Sequence, residues 1–362
     1  MRFHSWFILF AAAAWPCLAQ TTAPTPTAEL PKDPRAVFDL ARPLYDFSDP
    51  ALKPWHLKAS YQIYDEKGAS TMKGTFEYWW ASPKLWRVRW TRPDAEHNEW
   101  HTADGKIAEL ATGGNLNYYE YRLRSALLEP LPKPGDLDPD KFWLKREEIK
   151  LNPNASVGFP CIEVMPHMNW KTSDVSLGLF PTYCFDPSQP VLRFQSSLGN
   201  LSIQYSRFGK TQNHILAQEV LFQEHTRKIL TAQVDQINAI ASTNEALTPS
   251  ADAKTRTPDV PPSGKGKKVV APGEMLGKLL SKVQPVYPGD AEHAHITGTV
   301  VLKAIIGRDG QVHELNVLSA PWPSLAASAL QAVSQWRYKP YMINGDPVEV
   351  ETTVNVIYAM SD

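Results

Sequence analysis

The chain has 362 residues, which is long for one domain and enough to build two. It carries 37 Lys and Arg against 38 Asp and Glu, so a net charge of -1 excludes a global field that would favour nucleic acid or an anionic membrane as the partner. The 12 Trp, 13 Tyr and 13 Phe can fill sizeable cores, while 31 Pro indicate many loops and a linker.

Residues 1–19 have the pattern of a secretory signal peptide. Arg2 precedes a short apolar run, and Cys17-Leu18-Ala19 fits a small-x-small cleavage site. The run is shorter than the roughly 20 residues that cross a bilayer. We therefore predict cleavage near Ala19 and export into an oxidising compartment. A retained, uncleaved N-terminus that anchors the chain in the inner membrane is the alternative.

Residues 20–32 are rich in Thr, Pro and Ala and are predicted to be a disordered leader. A helix is predicted to follow. Asp33 can cap it, Pro34 suits its first position, and Pro43 is expected to end it.

Residues 33–245 are predicted to form one β-rich N-terminal domain. Apolar and polar residues alternate in many short runs between about Trp55 and Ile240, which is typical of antiparallel strands. Only 116–130 and 139–146 lack clean alternation, and they are predicted to hold one or two helices. Together these features predict an α+β chain whose first domain is a curved sheet or half-barrel with few helices.

The adjacent Trp79 and Trp80 must point to opposite faces of a strand. This pattern predicts a second layer, an apolar cavity for a hydrophobic ligand, or simply a large aromatic core. The motif Gly-x-Phe-x-x-Trp at 74–79, followed by Ser-Pro-x-x-Trp-Arg-x-Arg at 82–89, resembles the lipoprotein carriers LolA and LolB. That resemblance implies a half-barrel that holds acyl chains.

Two cysteines remain once the signal peptide is removed, Cys161 and Cys184. Both lie in strand-like runs, and an even pair in an exported protein favours a disulfide. Two buried free thiols are the alternative. The bond is predicted to staple the fold and to take no part in chemistry.

Residues 246–273 are dominated by Thr, Pro, Ser, Ala and Gly and are predicted to be a semi-extended linker. The basic cluster at its end, Gly264-Lys265-Gly266-Lys267-Lys268, is predicted to be a solvated stretch.

Residues 274–360 are predicted to form a small C-terminal domain. Strands at 298–306 and 311–319 would form a hairpin, a helix would follow at 324–335, and the last strand would span 347–359. These elements predict a three-stranded antiparallel sheet under two helices, the other being short and near 287–293.

This domain contains two motifs that combine proline with aromatic residues: Gln284-Pro285-Val286-Tyr287-Pro288 and Trp336-Arg337-Tyr338-Lys339-Pro340. We predict that Trp336 and Tyr338 fill the core. In order and spacing, the motifs resemble the C-terminal domain of the TonB family, together with Gly298-Thr299-Val300, Asp309-Gly310 and the terminal Val/Thr strand.

The TonB resemblance implies a periplasmic location and a role in transmembrane transport. An outer-membrane receptor, or another envelope protein, is expected to add a short extended segment to the last strand by β-augmentation. The implied partner-binding residues are Gln284, Pro285, Val286, Tyr287, Pro288, Val350, Thr352, Val354 and Val356. No apolar stretch is long enough to serve as the family's transmembrane helix, so binding is expected without the usual motor connection.

The chain shows no convincing catalytic or metal motif. His97 and His101 have the spacing of a zinc site without its Glu, and 136–140 resembles a calcium loop without its Gly or distal Glu. We therefore predict no enzyme, no cofactor and no metal. The leading interpretation is a TonB-like binding protein. The alternative is a periplasmic carrier or chaperone of hydrophobic ligands, with the C-terminal domain as a targeting module.

Overall fold

A computed structural model describes residues 30–114, 116–150, 158–167, 180–197, 201–224, 226–256, 268–271, 274–343 and 346–360. The predicted signal peptide, most of the predicted leader and the first four residues of the basic cluster lie outside these ranges. Among the described helices, none has the length and apolar character needed to cross a membrane.

The N-terminal domain is dominated by one large sheet. Its helices and strands, in chain order, are α1 (Pro34–Tyr45), β1 (Trp55–Tyr64), β2 (Ser70–Ser82), β3 (Leu85–Arg92), β4 (Ala95–His101), β5 (Ile107–Gly113), α2 (Tyr118–Leu128), β6 (Phe142–Ile149), β7 (Phe159–Pro166), β8 (Thr182–Phe185), β9 (Leu192–Ser197), β10 (Leu201–Thr211), β11 (His214–Glu224), β12 (Arg227–Ala239) and β13 (Lys254–Arg256). Short 3₁₀ helices lie at Pro134–Leu137 and Glu245–Leu247.

These 13 strands form a single sheet in the order β13-β5-β4-β3-β2-β1-β12-β11-β10-β9-β8-β7-β6. Every neighbouring pair is antiparallel, and most neighbours are consecutive in the chain, so hairpins build nearly the whole sheet. There are two exceptions: β1 pairs with β12 and so joins the two halves, and β13 pairs with β5 at one edge. The prediction of an open curved sheet with few helices is confirmed for this domain.

Two local predictions were wrong. Pro43 does not end α1, which continues to Tyr45; the proline removes one backbone hydrogen bond, and only two helical residues follow it. Residues 139–146 are not helical, since Phe142–Ile149 pairs along its length with β7. Strand pairing there outweighs the weak periodicity of the sequence.

One face of the sheet carries the domain's core. Trp55 and Trp80 are each 2 % exposed and their rings stack with centroids 6.2 Å apart, while α1 and α2 bury their apolar sides against the same face. Phe38 of α1 meets Phe185 edge to face at 5.6 Å. Such ring pairs add stability beyond the area they bury.

The opposite face buries Trp79 under polar and cationic groups. His56 stacks on Trp79 with centroids 4.5 Å apart, and the guanidinium of Arg87 lies between the Trp79 and Trp100 rings, 4.6 and 4.7 Å from their centroids. Arg87 Nη1 and Trp100 Nε1 both donate to the carbonyl of Ala246, at 3.2 and 3.0 Å. A second layer therefore covers this face, which is one of the outcomes that the Trp-Trp pair predicted.

Residues 246–256 lie within the predicted linker, and the structure places them on the N-terminal domain. The Glu245–Leu247 turn covers the Trp79 face, and Leu247 is 4 % exposed. Further on, β13 pairs with β5 and extends the sheet by one strand.

The predicted disulfide is present and joins neighbouring strands. Cys161 of β7 and Cys184 of β8 are directly opposite in register, 3.9 Å apart between Cα atoms. Both residues are buried, so the bond lies inside the N-terminal domain.

The C-terminal domain begins with a short strand from the end of the predicted linker. Its elements are β14 (Lys268–Val269), β15 (Leu279–Ser281), α3 (Gly289–His293), β16 (Gly298–Ile306), β17 (Val312–Ser319), α4 (Pro323–Val333), β18 (Arg337–Tyr338), β19 (Tyr341–Ile343), β20 (Asp346–Val348) and β21 (Val350–Tyr358). A 3₁₀ helix lies at Leu276–Lys278.

The main sheet of this domain has the order β14-β21-β16-β17. β16 pairs antiparallel with both β17 and β21, whereas β14 runs parallel to β21. Leu325, Ala329 and Val333 of α4 are fully buried against the sheet's inner face, as the helical spacing predicted. The sheet thus has one strand more than the three that the sequence predicted.

Glu77 provides a pH-dependent test of the Trp79 face. Burial alone raises the pKa of this carboxyl, but hydrogen bonds from His56 and Arg89 outweigh burial and lower the pKa from 4.5 to about 2. A depressed carboxyl pKa contributes stability that is present above the unfolded-state value and is lost as the pH falls toward the folded-state value.

We therefore expect Glu77→Gln to lower the free energy of unfolding at neutral pH, with the deficit shrinking between roughly pH 5 and pH 2. Urea denaturation at a series of pH values measures this difference. Glu66→Gln, in an exposed turn, is the control and should leave the pH profile of stability unchanged. A deficit that is constant with pH would contradict the role assigned to the ionised carboxylate.

Candidate functional site

The Asp309-Gly310 turn of the C-terminal domain lies against the Trp336–Pro340 motif. Gly310 has a φ of 77°, and a Cβ built on it would lie 1.9 Å from the carbonyl oxygen of Tyr338. The Gly310 carbonyl accepts a hydrogen bond from the Tyr338 N–H at 2.8 Å. The Asp309-Gly310 turn therefore needs glycine for two reasons, a left-handed backbone and a close approach.

Trp336 and Tyr338 belong to the core, as predicted. They are 2 % and 3 % exposed, and the Trp336 indole donates to the carbonyl of Val283 at 2.8 Å. That bond fixes the chain just before the Gln284–Pro288 segment. Burial raises the pKa of the Tyr338 hydroxyl, consistent with an interior position.

The Gln284–Pro288 segment lies next to the end of the last strand. The Tyr287 ring meets the Tyr358 ring edge to face at 5.4 Å, and its hydroxyl donates to the carbonyl of Ile296 at 2.5 Å. Val286 is 77 % exposed while its carbonyl accepts from Ser328 Oγ at 2.5 Å. The segment is thus fixed through its backbone and one ring, and it presents an apolar side chain outward.

The four predicted partner-binding residues of the last strand point into the domain. Val350, Thr352, Val354 and Val356 are 0, 3, 7 and 5 % exposed. They lie opposite the even-numbered residues of β16 in a register without shifts. Because Glu351 directs its carbonyl away from β16, toward Val270 at 3.0 Å, the even-numbered residues of β21 must direct their backbone groups toward β16.

The odd-numbered residues of β21 therefore carry the open edge. Backbone groups of Thr353, Asn355 and Ile357 point to the same side as those of Glu351. Among the strands that the structure describes, only β14 pairs on that side, and it reaches no further than Glu351. Ile357 is also 73 % exposed. The alternation of Glu349, Glu351, Thr353 and Asn355 with apolar residues was the sequence signal for this assignment.

The N-terminal domain packs on the C-terminal sheet through the start of α2. Tyr118 donates from its hydroxyl to Glu314 Oε1 at 3.0 Å, and Arg122 Nη1 lies 3.3 Å from the same oxygen. The Tyr118 ring stacks on His313 with centroids 4.4 Å apart and an interplanar angle of 9°. Burial, and then the charge of Glu314, raise the pKa of Tyr118, which keeps its hydroxyl protonated as a donor.

A cleft of about 270 Å³ lies beside this contact. It is lined by the start of α2 and by the 307–313 turn, with Arg308 placed over the Tyr121 ring at 5.8 Å. Sequence reasoning did not identify these residues as an interface. In the structure, a capping box between Asn117 and Glu120 fixes the start of this helix.

Comparison with known proteins identifies one of the two domains. Residues 283–360 match the family "Gram-negative bacterial TonB protein C-terminal". The match confirms the predicted resemblance and covers the Gln284–Pro288 segment, the Gly310 turn and β21.

Two curated relatives each match a part of the chain. Protein TonB of Vibrio cholerae serotype O1 is 34 % identical over 71 residues, covering 19 % of this chain and 29 % of the relative. Protein TonB of Klebsiella pneumoniae is 36 % identical over 63 residues, covering 17 % and 26 %. The chain thus spans less than a third of the length of these relatives.

Among solved structures, a LolA superfamily protein from Nitrosomonas europaea is similar over 57 % of this chain and 93 % of its own, at 8 % identity and a TM-score of 0.33.

The candidate metal residues have other partners. His97 Nε2 lies 2.8 Å from the carbonyl of Gly114, and His101 stacks on Trp86 with centroids 3.6 Å apart. In the 136–140 stretch, Asp136 accepts from the N–H of Lys133 at 3.0 Å, which caps a 3₁₀ helix.

Gly310 allows a matched test of the turn. Gly68 has nearly the same φ, 79°, but a Cβ there would meet nothing within 4 Å. We expect Gly68→Ala to cost about 1–2 kcal/mol of stability, the usual penalty of a left-handed residue. Gly310→Ala should cost clearly more, because the turn must also move away from Tyr338.

Thermal unfolding of the two variants, followed by intrinsic Trp fluorescence, measures the difference. Equal losses would show that the close approach to Tyr338 contributes nothing.

Proposed function

We propose that this chain is a TonB-like envelope protein whose C-terminal domain binds an extended segment of an outer-membrane receptor, or of another envelope protein, along β21. The match of residues 283–360 to TonB C-terminal domains supports this class of partner. The observation that carries the binding mode is the open edge formed by Thr353, Asn355 and Ile357.

An incoming strand would gain backbone hydrogen bonds from these three residues. Each is worth about 0.5–1.5 kcal/mol net, so a few of them give a modest, sequence-tolerant affinity. Side chains at the two ends of the edge would add selectivity. At one end, the partner strand would lie beside Ile357. At the other end it would lie close to Glu351, whose charge disfavours unspecific pairing along the edge.

The Gln284–Pro288 segment extends the same site. The Tyr287 ring contacts the Tyr358 ring at the C-terminal end of β21, which supports including both stretches in one site. Val286, 77 % exposed, offers an apolar contact to a partner segment that continues past the strand.

In this proposal the protein is exported, its signal peptide is cleaved near Ala19, and it acts in the periplasm as a binding protein in transmembrane transport. It is not an enzyme. The disulfide between two buried cysteines supports an oxidising compartment.

The carrier alternative finds less support in the N-terminal domain. The core face that would hold acyl chains is filled by its own aromatic rings and by two helices, with Trp55, Trp80 and Tyr61 all at 1–2 % exposure. Close packing of this kind stabilises a domain, and among the described residues the protein's own rings occupy the centre of this face.

Two substitutions of Asn355 distinguish binding through backbone hydrogen bonds from binding through its side chain. Asn355→Pro removes an N–H that points to the open edge, so the domain should stay folded while binding falls. Asn355→Ala keeps the N–H and should bind like the wild type. Val354→Pro should instead unfold the domain, because that N–H pairs with β16 and the side chain is buried.

The probe is a labelled peptide that carries the short "box" segment of an outer-membrane TonB-dependent receptor, called the box peptide below. Fluorescence polarisation with this peptide measures the affinities, and circular dichroism checks the fold. A loss of at least about 5-fold is expected for Asn355→Pro, near the value of one hydrogen bond plus a steric clash. Undiminished binding by a folded Asn355→Pro protein would rule out docking on this edge.

A further inference from the structure

We propose that the linker strand β14 is an internal competitor that occupies the first part of the docking edge and must be released before a partner strand can use the whole of β21. This inference rests on the proposed function, because it concerns access to the same edge.

The linker strand already makes the kind of pairing that a partner would make. Lys268 and Val269 lie opposite Val350 and Glu351 in a parallel register, and the Val270 N–H donates to the Glu351 carbonyl at 3.0 Å. The carbonyl of Ala271 lies 3.5 Å from Thr352 Oγ1. The chain therefore adds a strand to its own edge and satisfies the backbone groups of Glu351.

Two buried side chains hold the linker strand in place. Val270 is 5 % exposed and Met275 is 2 % exposed, and both belong to the core cluster of the C-terminal domain. Glu274, between them, accepts from the Tyr341 hydroxyl at 2.6 Å. A segment tethered this closely has an effective concentration on the order of millimolar or more, so even a weak pairing competes with a free peptide.

The pairing itself is short, which makes release feasible. β14 contains two residues, and Val269 is 59 % exposed, so little apolar surface would return to water beyond Val270. While it is in place, the open edge runs only from Thr353 to Ile357. Once it is released, the backbone groups of Glu351 also become available, and the open edge runs from Glu351 to Ile357.

Adjacent residues of the linker strand direct their N–H groups to opposite sides, so Val269 and Val270 provide a matched pair of variants. Since the Val270 N–H points to β21, the Val269 N–H points away from it. Val270→Pro removes the bond to Glu351 and keeps an apolar side chain, whereas Val269→Pro removes no bond to the edge. In the full chain, we expect Val270→Pro to bind the receptor box peptide about 2- to 10-fold more tightly than the wild type, the range that one backbone hydrogen bond supplies. Val269→Pro should bind with wild-type affinity.

Amide hydrogen exchange with single-residue resolution tests whether β14 pairs with β21 in the wild-type protein, and this test does not depend on peptide binding. The Val270 amide should exchange slowly and the Val269 amide fast, and saturating box peptide should accelerate exchange at Val270. Equal exchange at the two amides, or a Val270 amide that stays protected in the complex, would overturn the inference.

The binding results separate this inference from the proposed function. Binding that is equal in the wild type and both proline variants overturns the competition and leaves the docking edge standing. Failure of the peptide to bind any of the three proteins overturns the proposed function, and the competition with it.

Discussion

A fully buried carboxylate positions the helix through which the N-terminal domain meets the C-terminal domain. Glu120 is 0 % exposed, accepts from the Tyr61 hydroxyl at 2.5 Å and the Arg92 guanidinium at 2.8 Å, and caps α2 by accepting from the Asn117 N–H at 2.8 Å. A buried charge is tolerated only when it is paired and hydrogen-bonded in this way. The network ties the helix start to strands β1 and β3, and so fixes where Tyr118 and Arg122 meet the C-terminal sheet.

The C-terminal domain also depends on a few contacts between residues that are far apart in the sequence. Its Gly310 turn closes on Tyr338, and Trp336 is anchored to Val283, so distant motifs of the sequence stabilise one another. The rest of the domain can then leave one strand edge partly unpaired without losing its fold. An unpaired edge is a liability in most proteins, and here the chain covers part of it with its own linker.

Much of this architecture was predictable from local patterns. Alternation gave the strands of the large sheet, and the 298–306 hairpin strand was predicted with its bounds as observed. The error at 139–146 arose because the strand there, Phe142–Ile149, has polar residues on both faces and no clear period, and only its pairing with β7 defines it. The Cys161 and Cys184 pair was predictable from compartment and number alone.

What the sequence could not supply were relations across long separations. Nothing local shows that Ala246 covers the Trp79 face, that Tyr118 stacks on His313, or that Val270 pairs with Glu351. The family resemblance indicated that the last strand binds, but a strand has two sets of alternating residues. The hydrogen bond from Val270 to the Glu351 carbonyl, together with the register with β16, shows that Thr353, Asn355 and Ile357, rather than the buried set, carry the open edge.

The long register between β16 and β21 also has a mechanical consequence. Nine residue pairs lie side by side without a bulge, from Gly298 and Tyr358 to Ile306 and Val350. A tension applied along β21 by a bound strand would load these hydrogen bonds together, in shear, instead of opening them one at a time. The domain is therefore built to resist pulling along the direction of its open edge, and to yield much more easily when peeled at right angles to it.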